Sequence, residues 1–164
     1  MTLPVISAVK NEDIPNIARI APPIWHQHYD PIIGEKQVDY MLEKFQSEKA
    51  IHNQMSEGYL YFKVEEDGES VGYFSLEQRD EVDLFISKFY LFNKTRGKGF
   101  GRAMLEFIEV FAVKNNCENV KLTVNKYNPA YKIYLKLGFI KYGSAEFDIG
   151  GGFIMDDYLM SKKV

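Results

Sequence analysis

The segment Lys94-Thr95-Arg96-Gly97-Lys98-Gly99-Phe100-Gly101-Arg102 constrains this chain more than any other. It sets four cations and three glycines in nine residues of a protein whose net charge is -3. No Asp or Glu occurs from Phe85 to Leu105. Apolar residues then recur at Phe100, Met104, Phe107, Ile108 and Phe111, a helical spacing that predicts an amphipathic helix starting where the run ends. The first turn of a helix exposes unpaired N–H groups and the positive end of its dipole, so it normally attracts acids. Cations gathered there instead imply that an anion belongs at the site, with glycines letting the backbone wrap it. The segment predicts a phosphate cradle.

Spacing narrows the kind of cradle. The order Gly, any four residues, then Gly-Lys-Ser/Thr of a Walker A loop is absent from this segment. A dinucleotide fingerprint needs Gly-x-Gly-x-x-Gly after the first strand of its unit, whereas Arg102 stands where the third glycine would fall. What remains is Arg96-x-x-Gly99-x-Gly101. Further along, Asn128-Pro129-Ala130-Tyr131-Lys132-Ile133-Tyr134-Leu135-Lys136-Leu137-Gly138-Phe139 reads as a short helix. Asn128 suits its N-cap, Pro129 its first position and Gly138 the residue past its end.

Together these segments resemble the two signatures of the GNAT (GCN5-related N-acetyltransferase) family. The first is its Arg/Gln-x-x-Gly-x-Gly/Ala loop. The second is matched at Asn128, Ala130, Tyr134, Lys136, Gly138 and Phe139. The resemblance implies an α+β fold, a single mixed, mostly antiparallel sheet with flanking helices, split between two parallel strands at the cofactor site.

A coarse reading of the chain gives elements in that order. A strand is predicted over Pro4–Val9 and a helix from Asn11, with Ile14, Ile17 and Ala18 inward, ending before Pro22-Pro23. Trp25–Tyr29 reads as an aromatic connection, Glu35–Gln46 as a second helix and Ser47–Ser56 as a further helical turn or two. Strands follow at Tyr59–Glu65 and Ser70–Glu77, around an Asp67-Gly68 hairpin signal, and at Val82–Phe92. The amphipathic helix, a strand at Asn119–Val124, the short helix, and strands at Phe139–Ile149 and Phe153–Met160 joined by Gly150-Gly151-Gly152 complete the series.

Length and composition fit one domain over residues 1–164, with 46% hydrophobic and 15% aromatic residues arguing against disorder. The negative net charge argues against general nucleic-acid binding, because the basic patch is local. A single cysteine, Cys117, excludes an internal disulfide and fits a reducing compartment. The start, Met1-Thr2-Leu3-Pro4-Val5, has no signal-peptide pattern, and no run approaches the roughly 20 apolar residues of a membrane span. A cytoplasmic protein is expected.

The resemblance also implies a chemistry: acetyl transfer from acetyl-CoA to a primary amine by direct attack. It assigns the backbone of Tyr90 and Leu91 to the pantetheine arm and the loop Arg96, Gly97, Lys98, Gly99, Phe100, Gly101 and Arg102 to the pyrophosphate. Asn128 is expected near the pantetheine, and the Tyr134 phenol at the thioester sulfur. A phenol of pKa about 10 protonates a thiolate of pKa about 8.5 only weakly, so hydrogen bonding forms part of that role. An amine near pKa 10.4 is mostly protonated at neutral pH and needs a proton acceptor; Glu77 is named first, then Glu81 and Asp83.

Trp25, His28 and Tyr29 are expected to line the acceptor side. His26 and His28, two apart without a cysteine or acidic partner at ligand spacing, do not make a metal site. The N-terminal half resembles the bacterial subgroup that includes polyamine and diamine acetyltransferases, with Asp30, Glu35 and Asp39 as acids for a polycation. A protein or peptide amine, or a non-catalytic acyl-CoA sensor, are the alternatives. A homodimer is common in the family, with the Gly150–Gly152 hairpin as a candidate interface.

Overall fold

The computed structural model describes residues 3–164; Met1 and Thr2, part of the one-domain expectation, lie outside the described residues. Strand β1 (Val5–Ala8) is followed by three helices, α1 (Ile14–Ile33), α2 (Glu35–Gln46) and α3 (Glu48–Ser56). Strands β2 (Leu60–Glu66), β3 (Glu69–Gln78) and β4 (Asp83–Leu91) come next, then α4 (Phe100–Lys114), β5 (Asn119–Asn125), α5 (Ala130–Lys136), β6 (Ile140–Gly150) and β7 (Phe153–Lys163). The strands form one seven-stranded sheet in the order β1-β2-β3-β4-β5-β7-β6. Every neighbouring pair is antiparallel except β4 and β5. This is the mixed α+β sheet that the sequence predicts.

Alternation along the strands supplies a core to each face. On one face Phe62, Phe74, Leu76, Leu84 and Ile86 meet Phe100, Met104, Leu105 and Ile108 of α4. On the other, Tyr61 and Tyr73 meet Ile17, Ile20, Ala21, Ile24 and Trp25 of α1, with Val38 and Met41 of α2 and Ile51 of α3. The β2–β3 hairpin turns at Asp67 and Gly68, both at positive φ (51° and 80°), as a tight Asp-Gly hairpin requires.

One expectation fails in α1. The helix does not end before Pro22-Pro23: it runs for 20 residues with Pro22, Pro23 and Pro31 inside, and absorbs the supposed connection Trp25–Tyr29. An interior proline removes a backbone hydrogen bond and costs about 3 kcal/mol. Burial outweighs it, because the apolar stripe Ile17, Ile20, Ala21, Ile24, Trp25 continues across the proline pair and is buried throughout. The helical turns expected at Ser47–Ser56 are the full helix α3, capped by the Ser47 hydroxyl accepting from the Ala50 N–H at 3.1 Å. The Gly150–Gly152 turn folds back onto α2, where the Tyr40 hydroxyl donates to the Ile149 carbonyl at 2.9 Å.

A close approach between β3 and β4 makes Gly72 a sensitive position. A Cβ there would lie 2.3 Å from the Tyr90 carbonyl oxygen and 2.7 Å from a Leu91 methyl. Backbone must move to admit it, so Gly72→Ala is expected to destabilise the fold by about 1–3 kcal/mol in urea denaturation. An unchanged midpoint would mean that the two strands yield freely.

Candidate active site

The site begins with a register fault in β4. Ser75 pairs with Lys88 but Leu76 with Ile86, leaving Ser87 as the extra residue of a β-bulge. The bulge reverses side-chain parity. Leu84 and Ile86 before it, and Phe89 and Leu91 after it, all pack against the α4 side. Lys88 and Tyr90 turn to the α1 side, where the Lys88 Nζ stands 5.7 Å from the Tyr59 ring centre and Tyr90 joins the aromatic core.

Pairing with β5 stops at the same place. Asp83, Leu84 and Phe85 pair with Asn119, Val120 and Lys121, and no further pair forms although both strands run on. Asp83 pins the closed end, accepting from Asn119 Nδ2 at 3.0 Å and facing Lys121 Nζ at 2.8 Å. The Lys121 ammonium holds the Asp83 carboxyl below the usual range. Beyond it lies a cavity of about 600 Å³, lined on the β4 side by Ile86–Phe92 and on the β5 side by Leu122–Asn125.

Backbone direction separates the two residues assigned to this gap. Phe92 N–H donates to the Val71 carbonyl at 2.9 Å, and alternation then turns the backbone of Tyr90 toward β3 as well. Phe89 and Leu91 turn theirs toward the gap. The Leu91 carbonyl accepts from His28 Nε2 at 2.9 Å, leaving its N–H. Tyr90 is therefore corrected: its backbone is committed to β3 and its ring to the wall. Phe89, which the sequence reading missed, faces the gap instead.

At the far end of β4, Thr95 and the turn Asn93–Thr95 lead into the glycine loop. Gly97 and Gly99 adopt φ of 79° and 78°, and a Cβ on either, or on Gly101, would meet nothing within 4 Å. The N–H groups of Gly97, Gly99, Phe100, Gly101 and Arg102 find no acceptor among the described residues. Arg96 and Arg102 line the cavity. Lys98 does not: it turns to Glu66 at 3.0 Å, as Lys94 turns to Glu69 at 2.6 Å. Open glycines, free donors and two unpaired guanidinium groups at one helix start suit a pyrophosphate.

Tyr134 lies on α5 with its ring centre 6.1 Å from Phe89 and 5.7 Å from Phe139, and lines the cavity. Burial pushes its phenol well up, so it stays protonated. Asn128, also in the lining, accepts from the Ala130 N–H at 2.9 Å and fixes the start of that helix.

The opposite wall comes from α1, α2 and β7. Trp25, His28 and Tyr29 all line the cavity, with Met41, Phe45, Met155 and Asp157. Trp25 Nε1 donates to the Tyr73 hydroxyl at 2.8 Å, and the hydroxyls of Tyr29 and Tyr90 lie 3.1 Å apart. His26 turns away, bridging Asp30 at 2.7 Å and Asp39 at 3.0 Å. Those two acids are thereby engaged, and neither they nor Glu35 line the cavity. Glu77 is not brought to the cavity either: it accepts from Arg79 Nε at 2.8 Å, and Glu81 and Asp83 also lie outside the lining.

Two charged residues that the sequence reading passed over do line it. Asp157 is 6% exposed, and its Oδ1 has no hydrogen-bond partner among the described residues. Burial pushes its carboxyl up to about 6, against the pull of the Thr123 hydroxyl. Lys88 donates to the Ser87 hydroxyl at 2.7 Å, and desolvation draws its ammonium down to about 8. The alternation Phe153, Met155, Asp157, Leu159 carried one signal: an acid at an inward position of an otherwise apolar strand face.

A family model described as an acetyltransferase (GNAT) domain matches residues 29–154. The chain belongs to the GNAT acetyltransferase family. Uncharacterised N-acetyltransferases of Mycobacterium tuberculosis and Mycobacterium bovis are 32% identical over 99 residues, 60% of this chain and 63% of their own length. The PaiA N-acetyltransferase of Thermoplasma acidophilum, solved with coenzyme A, superposes with a TM-score of 0.84 at 20% identity, over 98% of this chain and 99% of that one. The ribosomal-protein-S18-alanine N-acetyltransferase of Escherichia coli superposes at 0.74 and 20% identity, over 99% and 94%. No helix among the described residues is long and apolar enough to cross a membrane.

The His26 bridge joins α1 to α2 behind the aromatic wall, and its titration has a defined sign. The hydrogen bond to Asp30, and then the charges of Asp30 and Asp39, raise its pKa above the ordinary value. Its stabilisation is complete below about pH 6.5 and fades as the pH rises through the folded-state value. Wild type should therefore exceed His26→Gln in urea stability by more at about pH 5.5 than at about pH 8.5. An equal gap at both would count against a charged His26.

Proposed function

We propose that this chain is an acetyl-CoA-dependent N-acetyltransferase whose acceptor is the primary amine of a small molecule. The observation that carries it is the arrested β4–β5 pairing. The gap that it opens runs directly to the free N–H groups at the start of α4 and has Tyr134 on its wall. The coenzyme A bound to the Thermoplasma acidophilum protein of the same fold supports the choice of donor. When bound, acetyl-CoA supplies an activated acetyl thioester. Arg96, Arg102 and the loop N–H groups hold its pyrophosphate, and the gap-facing backbone groups of Phe89 and Leu91 hold its extended arm.

Chemistry then falls to a few side chains. Asp157 receives the acceptor's ammonium and takes a proton from it, its carboxyl near 6 leaving it ionised at neutral pH. The freed amine nitrogen bonds to the acetyl carbon as the carbon–sulfur bond breaks. Tyr134, kept neutral by burial, gives its O–H proton to the departing sulfur, and the second proton lost by the nitrogen restores the phenol. An aromatic, enclosed acceptor wall of Trp25, Tyr29 and Phe45 favours a small molecule over a protein terminus. A polyamine reading would rest on Asp157 alone, since Asp30 and Asp39 are held by His26.

Thioester consumption against a panel of small amines and short peptides tests the reading. Activity confined to peptides would replace it with a protein acceptor. Tyr134→Phe should lower kcat by about a hundredfold while acetyl-CoA affinity stays within about twofold; full turnover would remove its role. Gly99→Val, placing a β-branched side chain at φ of 78° in the cradle, should weaken acetyl-CoA binding at least about tenfold, read by isothermal titration. In the residual activity of Asp157→Asn, the acidic limb of the kcat/KM profile near pH 6 should be lost; a retained limb would assign the base elsewhere.

A further inference from the structure

Lys88 and Asp157 pose a problem that acetyl transfer to a simple amine does not solve. Both line the one cavity, on the α1 side of the sheet, with the open gap and β5 between them. No ion pair among the described residues includes either one. Asp157 offers a buried, unpartnered carboxylate oxygen. Lys88 has the Ser87 hydroxyl and the face of the Tyr59 ring, neither of them an anion. Glu77 acts on Lys88 from a distance but is engaged by Arg79. Asp157 is buried, and a buried charge without a partner costs several kcal/mol unless a ligand completes it, while the half-buried Lys88 stands in the same cavity with no acid of its own. The donor's pyrophosphate is not placed to fill that role for Lys88, because its cradle lies past the end of β4 at the start of α4, whereas Lys88 faces the α1 side of the sheet.

We infer that the acceptor is zwitterionic: a small amine that also carries an acidic group, its ammonium received by Asp157 and its carboxylate or phosphonate by Lys88. The inference rests on the amine-acceptor reading and narrows it to amino-acid-like molecules. A polycation such as spermidine is disfavoured, because Lys88 would oppose its second charge inside a low-dielectric wall. An aromatic panel of Trp25, Tyr29 and Tyr90 supplies an apolar wall of the same cavity.

Trp25 is the chain's single tryptophan and stands in the cavity wall, so its fluorescence reports acceptor binding without turnover. The probes are matched pairs: phenylalanine and phenethylamine, leucine and isoamylamine, γ-aminobutyrate and propylamine, aminoethylphosphonate and ethylamine, with spermidine alone. At least one acidic member should bind about tenfold or more tightly than its matched amine. Lys88→Met should reduce that preference to within about twofold, Lys88→Arg should keep most of it, and Asp157→Asn should weaken both members. The carboxylate pairs against the phosphonate pair identify the acidic group. Equal or better binding of the plain amines, tightest binding of spermidine, or silence of the whole panel at about 10 mM overturns the inference. A preference unmoved in Lys88→Met overturns it too. A thermal shift with acetyl-CoA, run in parallel, separates the two failures. Acetyl-CoA binding with turnover of plain diamines leaves the enzyme reading standing and removes this one, whereas no acetyl-CoA binding removes the enzyme reading itself.

Discussion

The interrupted contact between β4 and β5 is the constraint from which the rest of the site follows. Parallel pairing holds from Asp83 to Phe85 and then ends, at the Ser87 bulge on one strand and before Leu122 on the other. A sheet that opens midway exposes backbone donors and acceptors that would otherwise be paired. Here they are the groups of Phe89 and Leu91, and they border the cavity. The Asp83–Lys121 ion pair and the two bonds from Glu118 and Asn119 to the Val82 carbonyl clamp the closed end. The opening is therefore local, and the strands on either side keep a full ladder.

A second group of interactions keeps the acceptor wall rigid. Trp25 donates to Tyr73, whose hydroxyl meets Gln46, and Gln46 also reaches Tyr61. That chain links α1 to β3, α2 and β2 through groups that are nearly all fully buried. Each such bond contributes only about 1 kcal/mol net, but breaking one would leave a buried partner unsatisfied. The same helix sends Gln27 to the Asn93 N–H and His28 to the Leu91 carbonyl. Through α1, then, the acceptor wall and the end of β4 are fixed to one another. This accounts for a helix that tolerates Pro22 and Pro23: its register is set by what its buried face must reach.

Local chemistry was legible in the sequence, and long-range geometry was not. The glycine loop, the Asn128 start of α5, the Asp67-Gly68 hairpin and the α4 stripe each depend on residues within a few positions, and each appears where expected. The α1 boundary was misread because proline is a local signal, while the burial that overrides it is tertiary. Tyr90 and Leu91 are adjacent, so their backbone groups point to opposite edges of β4, and only the pairing with β3 shows that Phe89 and Leu91 are the ones that face the gap. Glu77, Glu81 and Asp83 were named for their place around the hairpin that enters β4, and Asp157 was passed over. Asp157 reaches the cavity only through the pairing of β7 with β5, a contact across more than thirty residues.

The distribution of satisfied and unsatisfied groups is the most informative property of the molecule. Away from the cavity, half-buried cations such as Lys63, Lys121, Lys126 and Lys162 are matched, with Asp13, Asp83, Asp156 and Glu109, while Lys36, Lys49, Lys114 and Lys132 are exposed and carry no ion pair among the described residues. Even within the basic loop, Lys94 and Lys98 are neutralised by the β2–β3 hairpin at Glu69 and Glu66. Around the cavity, Arg96, Arg102, Lys88 and Asp157 have no ion pair among the described residues, and with the free loop N–H groups they border one continuous space. Of that set Asp157 is the buried member, and its unpartnered carboxylate oxygen is the one that costs stability until a ligand completes it. On the proposed reading, each leftover group on the loop side meets the donor and each on the α1 side meets the acceptor. The gap between β4 and β5 is the place where the two are brought together.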